Sequence, residues 1–558
     1  MPGEIHTCAE CKQPAELKCS ACKLVWYCSK EHQKQHWKQH KNLCKSYEIG
    51  QSPELGRFMI ASRDLTPGDL IVTESPLVFG PRPYPIEEGP VPCIGCSRLC
   101  PPDTSVRCQN CGWQVCDPAC IGIRNPLAHG QECPVLCLRK PQPCDNVHDY
   151  YRHDALLALR CLLLQRHGVK KWNQLFEMES HYMKRGSGTE IHKTVNNRIV
   201  KYLIENFLIP VKEYESQSNL KILHDVSDDT LHKICGIIDV NALETNQSIE
   251  MSALYPTAVI MEHNCVPNTY HYFGDDMEQY KITVRAAVPI KKGAHISTMY
   301  THALWGTQAR REHLKETKYF GCKCQRCKDP TELGTNLSTL RCLGTELGPC
   351  GGAQLPLDPL NEKTEWACSK CTIKLASDQV ANLVNQIGEE VDSVQANRPT
   401  VKDLEGLLEK MLTFLHPNHY HVYSVKHSLL QLYGYQQGFL PNQLSDDLLR
   451  KKATMCRELL HITEKIDPGN ARLSLYFGVI LHELHLASMD LIKRQWNSGN
   501  QTELVKGIRE AKALLLKAQD VLKNEVTSGA GTKLYDLICS SLKDFGRWLD
   551  VKDIDISE

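Results

Sequence analysis

Between Cys8 and Cys44 the chain reads C-x2-C-x7-C-x2-C-x5-C-x3-H-x7-H-x3-C, and a near-copy follows between Cys93 and Cys133. No other feature narrows the fold as far. Tetrahedral zinc takes four thiolate or imidazole ligands, so eight such donors in four pairs provide for two ions. A segment this short has little core, and metal binding then supplies most of its folding free energy. Disulfides are the other use of many cysteines, and they belong to small secreted chains. Here 28 cysteines are spread over 558 residues, a length that calls for roughly three or four domains. Met1 to Cys8 lacks the basic region and apolar run of a secretory signal. The most apolar stretch, Ala155 to Leu164, is short and broken by Arg160, so no membrane-spanning helix is expected. With zero formal charge and 42% hydrophobic residues, the chain reads as a monomeric intracellular protein, cytoplasmic or nuclear.

The spacing nominates Cys8, Cys11, Cys19, Cys22, Cys28, His32, His40 and Cys44 in the first copy, with His36 a weaker candidate. In the second it nominates Cys93, Cys96, Cys108, Cys111, Cys116, Cys120, His129 and Cys133. Farther on, Cys322, Cys324 and Cys327 form C-x-C-x2-C, one thiol short of a tetrahedron. Cys342, Cys350, Cys368 and Cys371 form C-x7-C-x17-C-x2-C beside Trp366, the pattern of a zinc ribbon. About six zinc ions per chain are therefore expected. The remaining cysteines (Cys100, Cys137, Cys144, Cys161, Cys235, Cys456 and Cys539) are scattered and read as ordinary thiols.

The terminal H-x3-C on a helix resembles the MYND finger, a protein-interaction module, rather than a RING domain. The interleaved MYND pairing would place Cys8, Cys11, Cys28 and His32 on one ion, and Cys19, Cys22, His40 and Cys44 on the other. In the second finger it would place Cys93, Cys96, Cys116 and Cys120 together, and Cys108, Cys111, His129 and Cys133 together. Segments around the second finger resemble a split SET domain, the protein-lysine methyltransferase fold. They are Gly56 to Leu65 with Pro67 to Val72, then Leu254 to Pro256, then Glu262-His263-Asn264-Cys265-Val266-Pro267-Asn268, then Ala294 to Tyr300. The Pro67-Gly68 turn and the Leu70/Val72 alternation predict a β-hairpin at the opening. Tyr319 to Cys327 resembles the post-SET zinc loop, which in that family recruits the cysteine equivalent to Cys265. This order of motifs is similar to that of the SET-and-MYND family, and an extra finger ahead of the SET opening resembles its arthropod SmydA subgroup.

The resemblance implies methyl transfer from S-adenosylmethionine to a lysine amine. It assigns catalysis to Tyr300 and cofactor contacts to Gly56, Arg57, Asn241 and His263. Three positions depart from the family pattern: Phe58 replaces a loop glycine, Glu262 replaces an asparagine, and Lys318 stands where a tyrosine is common. Two functional readings follow. One is a protein-lysine methyltransferase whose fingers recruit partners, with a link to transcription or chromatin. The other is a weakly active or inactive SET-derived adaptor.

The fold class expected is α+β: a split SET fold with two MYND fingers, a post-SET zinc site, a zinc ribbon and an all-α tetratricopeptide-like lobe. The segments are 1–46 (first finger), 47–92 (first SET part), 93–133 (second finger) and 134–240 (helical insert). They continue as 241–318 (second SET part), 319–330 (post-SET loop), 331–374 (ribbon) and 375–558 (lobe). Apolar spacings such as Leu404/Leu407/Leu408/Met411 and Leu504/Ile508/Ala511/Leu515 predict stacked helices in the last segment. The partners expected are a protein lysine and proline-containing peptides at the fingers, with Trp26, Tyr27, Trp37 and Trp113 as aromatic candidates. Lys30, Lys34, Lys38, Lys41 and Lys45 make a basic stripe suited to nucleic-acid phosphate or an acidic peptide. A solvated helix face is the plainer reading of that stripe, and the neutral chain gives strong nucleic-acid binding no support.

Overall fold

The computed structural model describes the chain except residues 1–5, 21–24, 82–89, 101–105, 127, 140–151, 247–250, 275–279, 345–347, 349, 497–498, 524, 526–528 and 557–558. Cys22, Cys144 and residues 140–151 of the helical insert therefore lie outside the described residues. The chain forms two compact units. One comprises Met1–Phe58, Leu70–Met261 and His271–Val284, and the other Met59–Asp69, Glu262–Tyr270 and Arg285–Glu558.

In the first unit, the N-terminal finger pairs Leu17–Lys18 with Trp26–Tyr27 and continues into helix Lys30–Cys44. Ser29 caps that helix by accepting from His32 N–H, which satisfies one of the otherwise unpaired first-turn donors. Among the described residues its buried apolar core is Cys8, Ala15, Cys19, Tyr27 and Cys44, too little apolar surface to fold without metal. The larger core surrounds helix Leu156–Leu163, every residue of which is buried. Helix Asp228–Asn241 packs against it, as does strand Val78–Pro81. That strand pairs antiparallel with Met251–Leu254, which pairs in turn with Leu243–Asn246.

The predicted hairpin is not formed. Strands Gly56–Ala61 and Leu70–Glu74 both exist, but they belong to different sheets, and Leu70–Glu74 pairs with Ile282–Ala286 instead. The connection 62–69 is too long for a tight two-residue turn. Its backbone is also used elsewhere: Leu65 and Ile290 exchange hydrogen bonds, and Gly68 N–H donates to Ala286.

In the second unit, strand His295–Thr298 has antiparallel partners at Met59 and Ile60 and a parallel partner in Glu262–His263. Strands Leu340–Arg341, Ala353–Pro356, Trp366–Cys368 and Lys374–Leu375 make an antiparallel four-stranded ribbon. From Ser377 the chain is helical, and the periodic residues named above are buried between helices. Helix Ser474–Gln495 is long and apolar enough to cross a membrane by length and composition, which the reading of Ala155–Leu164 as the most apolar stretch overlooked. It is a bundle helix. His482, Glu483 and His485 are buried along it, and Glu483 pairs with the buried Lys452 at 2.5 Å.

Candidate functional site

The cysteines and histidines nominated by spacing gather into compact donor sets. Cys8/Cys11/Cys28/His32, Cys93/Cys96/Cys116/Cys120, Cys108/Cys111/His129/Cys133, Cys265/Cys322/Cys324/Cys327 and Cys342/Cys350/Cys368/Cys371 each bring their ligand atoms within 4.8 Å of one another. Sulfur–sulfur separations are 3.8 Å for Cys93–Cys120, 3.7 Å for Cys108–Cys133, 3.5 Å for Cys265–Cys327 and 3.6 Å for Cys342–Cys371. A disulfide would need about 2 Å, whereas the edge of a zinc tetrahedron with bonds of about 2.3 Å is about 3.8 Å. The donor chemistry and the spacing both fit zinc. For the remaining set, Cys19 lies 3.7 Å from Cys44 and 3.4 Å from His40 Nε2, while Cys22 lies outside the described residues. His36 is engaged by the Tyr27 hydroxyl at 3.0 Å.

Two of these sets are braced by buried ion pairs that spacing does not announce. His129 faces Cys108 through Nε2 at 3.3 Å and Glu132 through Nδ1 at 3.3 Å. Arg160 grips both Glu132 oxygens at 2.8 Å and also donates to the Phe79 and Ile94 carbonyls. Burial alone would raise the Glu132 carboxyl, but the Arg160 guanidinium holds it down at about 2. A carboxylate behind a ligand histidine fixes its ring and tautomer. In the second unit, Arg310 donates to Cys265 and Cys327 at 3.3 and 3.6 Å, and pairs with Glu332 at 2.7 Å. Arg326 joins the same carboxylate and caps the Cys265 and Ala303 carbonyls. Arg160 had signalled only an interruption of an apolar run. Its partner Glu132 precedes it by 28 residues, which no local pattern connects.

The residues assigned to cofactor and chemistry are divided between the units: Gly56, Arg57 and Asn241 in the first, His263 and Tyr300 in the second. Gly56 adopts a left-handed backbone (φ +66) with open space where a Cβ would point, so glycine is required there by conformation. Arg57 donates to the Glu177 carbonyl at 2.7 Å. Asn241 donates to the carbonyls of Glu179 and Ile237 at 2.7 and 2.8 Å, which commits both its amide hydrogens. Phe58 is buried.

In the second unit, His263 Nδ1 lies 3.0 Å from the Tyr300 backbone nitrogen. Glu262 holds His295 Nδ1 at 2.9 Å with one oxygen, while the other is buried with no partner among the described residues. The Tyr300 ring is part-exposed, yet its hydroxyl is pushed well up, first by desolvation and then by the Glu262 charge. Lys318 places its ammonium 5.9 Å from the Tyr300 ring centre, and Phe320 lies 5.9 Å from the His263 ring.

Comparison with known proteins places these features. Residues 8–44 match the MYND finger family model. Isoforms A and B of the SET domain-containing protein SmydA-8 of Drosophila melanogaster are 29% and 30% identical over 331 and 336 residues. The chain carries a MYND finger and is similar to the SmydA-type SET-domain proteins. The alignments cover 58% of it and 65% and 66% of the SmydA-8 isoforms, just under two thirds of those relatives. The Arabidopsis thaliana histone-lysine N-methyltransferase ASHR1 is 21% identical over 509 residues, covering 89% of the chain and 94% of ASHR1. Human N-lysine methyltransferase SMYD2 is 28% identical over 145 residues, 22% of the chain and 32% of SMYD2. Of the aromatic candidates for partner binding, Tyr27 and Trp113 are buried and so unavailable. Trp113 packs edge-on against His153 with Arg139 over its ring. Trp26 is half-buried, stacked on His6 with Lys18 above it, and Trp37 is 41% exposed. Lys30, Lys34, Lys38, Lys41 and Lys45 are all exposed.

Proposed function

We propose that the protein is a protein-lysine N-methyltransferase that uses S-adenosylmethionine, and that its MYND fingers recruit protein partners. The observation that carries this reading is the setting of Tyr300: a desolvated phenol at the end of strand His295–Thr298, with its backbone bound to His263. S-adenosylmethionine, when bound, supplies the electrophilic methyl group. The buried oxygen of Glu262, unpartnered among the described residues, is an acceptor, and an ammonium such as the one on the methionine end of that cofactor suits it.

Tyr300 keeps its hydroxyl protonated at any physiological pH, because burial and the neighbouring carboxylate both oppose the phenolate. Its oxygen lone pair can accept from the incoming amine and so orient it, a contribution through alignment. The amine must arrive neutral, since an ammonium has no lone pair, and a desolvating surround favours that form. The zinc centres shape the walls and take no part in bond making.

The adaptor reading is favoured by one feature: the Lys318 ammonium lies 5.9 Å from the Tyr300 ring centre, and a resident cation there opposes the approach of a second amine. Titration calorimetry with S-adenosylmethionine, then labelled-methyl incorporation by wild type and Tyr300→Phe, separates the two. Binding with incorporation that Tyr300→Phe lowers by at least about tenfold is expected. No heat at millimolar ligand sinks the enzyme, and equal incorporation by both proteins removes Tyr300 from its role.

A further inference from the structure

One side chain joins the Cys265/Cys322/Cys324/Cys327 set to Tyr300. Strand Glu262–His263 runs parallel to His295–Thr298, with His263 opposite Thr298. The ladder continues through Asn264 N–H to the Thr298 carbonyl at 2.8 Å. The Tyr300 N–H is taken by the His263 ring, whose Nδ1 lies 3.0 Å away, while its Nε2 lies 3.2 Å from Cys265 Sγ. A backbone amide can only donate, so Nδ1 is the acceptor and the neutral ring carries its proton on Nε2. That proton points at sulfur. With zinc bound the sulfur is a thiolate, which has no proton of its own and accepts. Both ring nitrogens are committed, and the tautomer is fixed by the amide.

We infer that His263 is a positioning residue that ties the Tyr300 backbone to the Cys265 thiolate, so that zinc occupancy and tyrosine placement are coupled. The thiolate end of this tie is itself held. Arg310 donates to Cys265 and Cys327, and the fully buried Arg310–Glu332–Arg326 cluster fixes Arg310. For its consequence in catalysis the inference rests on the reaction proposed above, where a misplacement of about 1 Å costs roughly a hundredfold in rate. The coupling itself does not rest on that reaction.

Two conservative variants divide the histidine's roles. The Asn oxygen falls near the position of Nδ1, so His263→Asn keeps an acceptor for the Tyr300 amide and loses the donor to sulfur. The Gln nitrogen falls near Nε2, so His263→Gln keeps the donor and loses the acceptor. The readouts, on zinc-loaded full-length protein with far-UV circular dichroism as a check of folding, are two. One is hydrogen exchange of the peptide containing Tyr300, and the other is peptide-mapped alkylation of Cys265, Cys322, Cys324 and Cys327. His263→Asn should leave exchange near wild type and speed alkylation by about tenfold, the usual scale for losing a hydrogen bond to a metal ligand. His263→Gln should do the reverse, and His263→Ala should show both changes. Identical behaviour of the Asn and Gln variants, or an Ala variant silent in both readouts, would overturn the inference. Neither readout needs a methyl donor, so failure to bind S-adenosylmethionine would sink the proposed activity and leave this test standing.

Discussion

Arg160 is fully buried and spends its guanidinium on Glu132 and two backbone carbonyls. Removing one member of such a pair strands the other charge, at a cost of about 3–5 kcal/mol. Arg160→Met should therefore destabilise the first unit by that order in chemical unfolding of the zinc-loaded protein. Arg160→Lys should recover only part of it, because an ammonium cannot grip both oxygens. A loss below about 1 kcal/mol would deny the pair its bracing role. Glu262 makes a separate prediction. If its free oxygen receives the cofactor's ammonium, Glu262→Gln should weaken S-adenosylmethionine binding by roughly tenfold or more, the scale of a charge-assisted hydrogen bond. Unchanged affinity in calorimetry would remove Glu262 from the site. The ligand pairs themselves were legible because C-x2-C knuckles are local. Cys265 was visible only through resemblance, since 57 residues separate it from Cys322. The Arg–Glu braces were not visible at all, because neither partner has a fixed spacing to the other.

At the scale of elements, the second finger depends on a backbone contact between its two halves. A Cβ at Gly122 would lie 2.0 Å from the Gly95 carbonyl oxygen, and neither backbone can yield without moving the Cys93/Cys96 knuckle. Gly122→Ala should therefore loosen the Cys93/Cys96/Cys116/Cys120 set, seen as faster alkylation of Cys116 and Cys120 and a lower melting temperature. Alkylation at the wild-type rate would show that the halves slide freely. Helices of the C-terminal lobe were legible from their period, since Leu404, Leu407, Leu408 and Met411 need only local spacing to find one face. The hairpin expected at Pro67-Gly68 failed for the opposite reason. Its strands take partners more than two hundred residues away, with Ile296 opposite Met59 and Thr73 hydrogen-bonded to Thr283, and turn chemistry carries no information on such pairings.

For the molecule as a whole, acid should act through the helical lobe as well as through the zinc ligands. Burial pushes His421, His427, His482 and His485 each down to about 4. Unfolded, such histidines titrate near 6.5, so between about pH 6.5 and 4 the unfolded chain binds protons that the folded chain refuses. Stability from these groups is thus present above about pH 6.5 and lost as the pH falls toward 4. With about 1.4 kcal/mol per pKa unit, several such histidines together weigh on the order of a typical domain's margin. His427 Nε2 has no partner among the described residues, and His427→Gln should flatten the fall in melting temperature between pH 7 and 5. A slope equal to wild type would place the acid sensitivity elsewhere. The division of the chain carries one more consequence, for the order of events at the ribosome. The first unit needs residues 271–284, and the second begins at Met59 and needs the chain through 558. The N-terminal finger, whose ligands end at Cys44, is built from contiguous sequence, so it can take up metal and fold while the rest of its unit is still waiting for residues 271–284 to be synthesised.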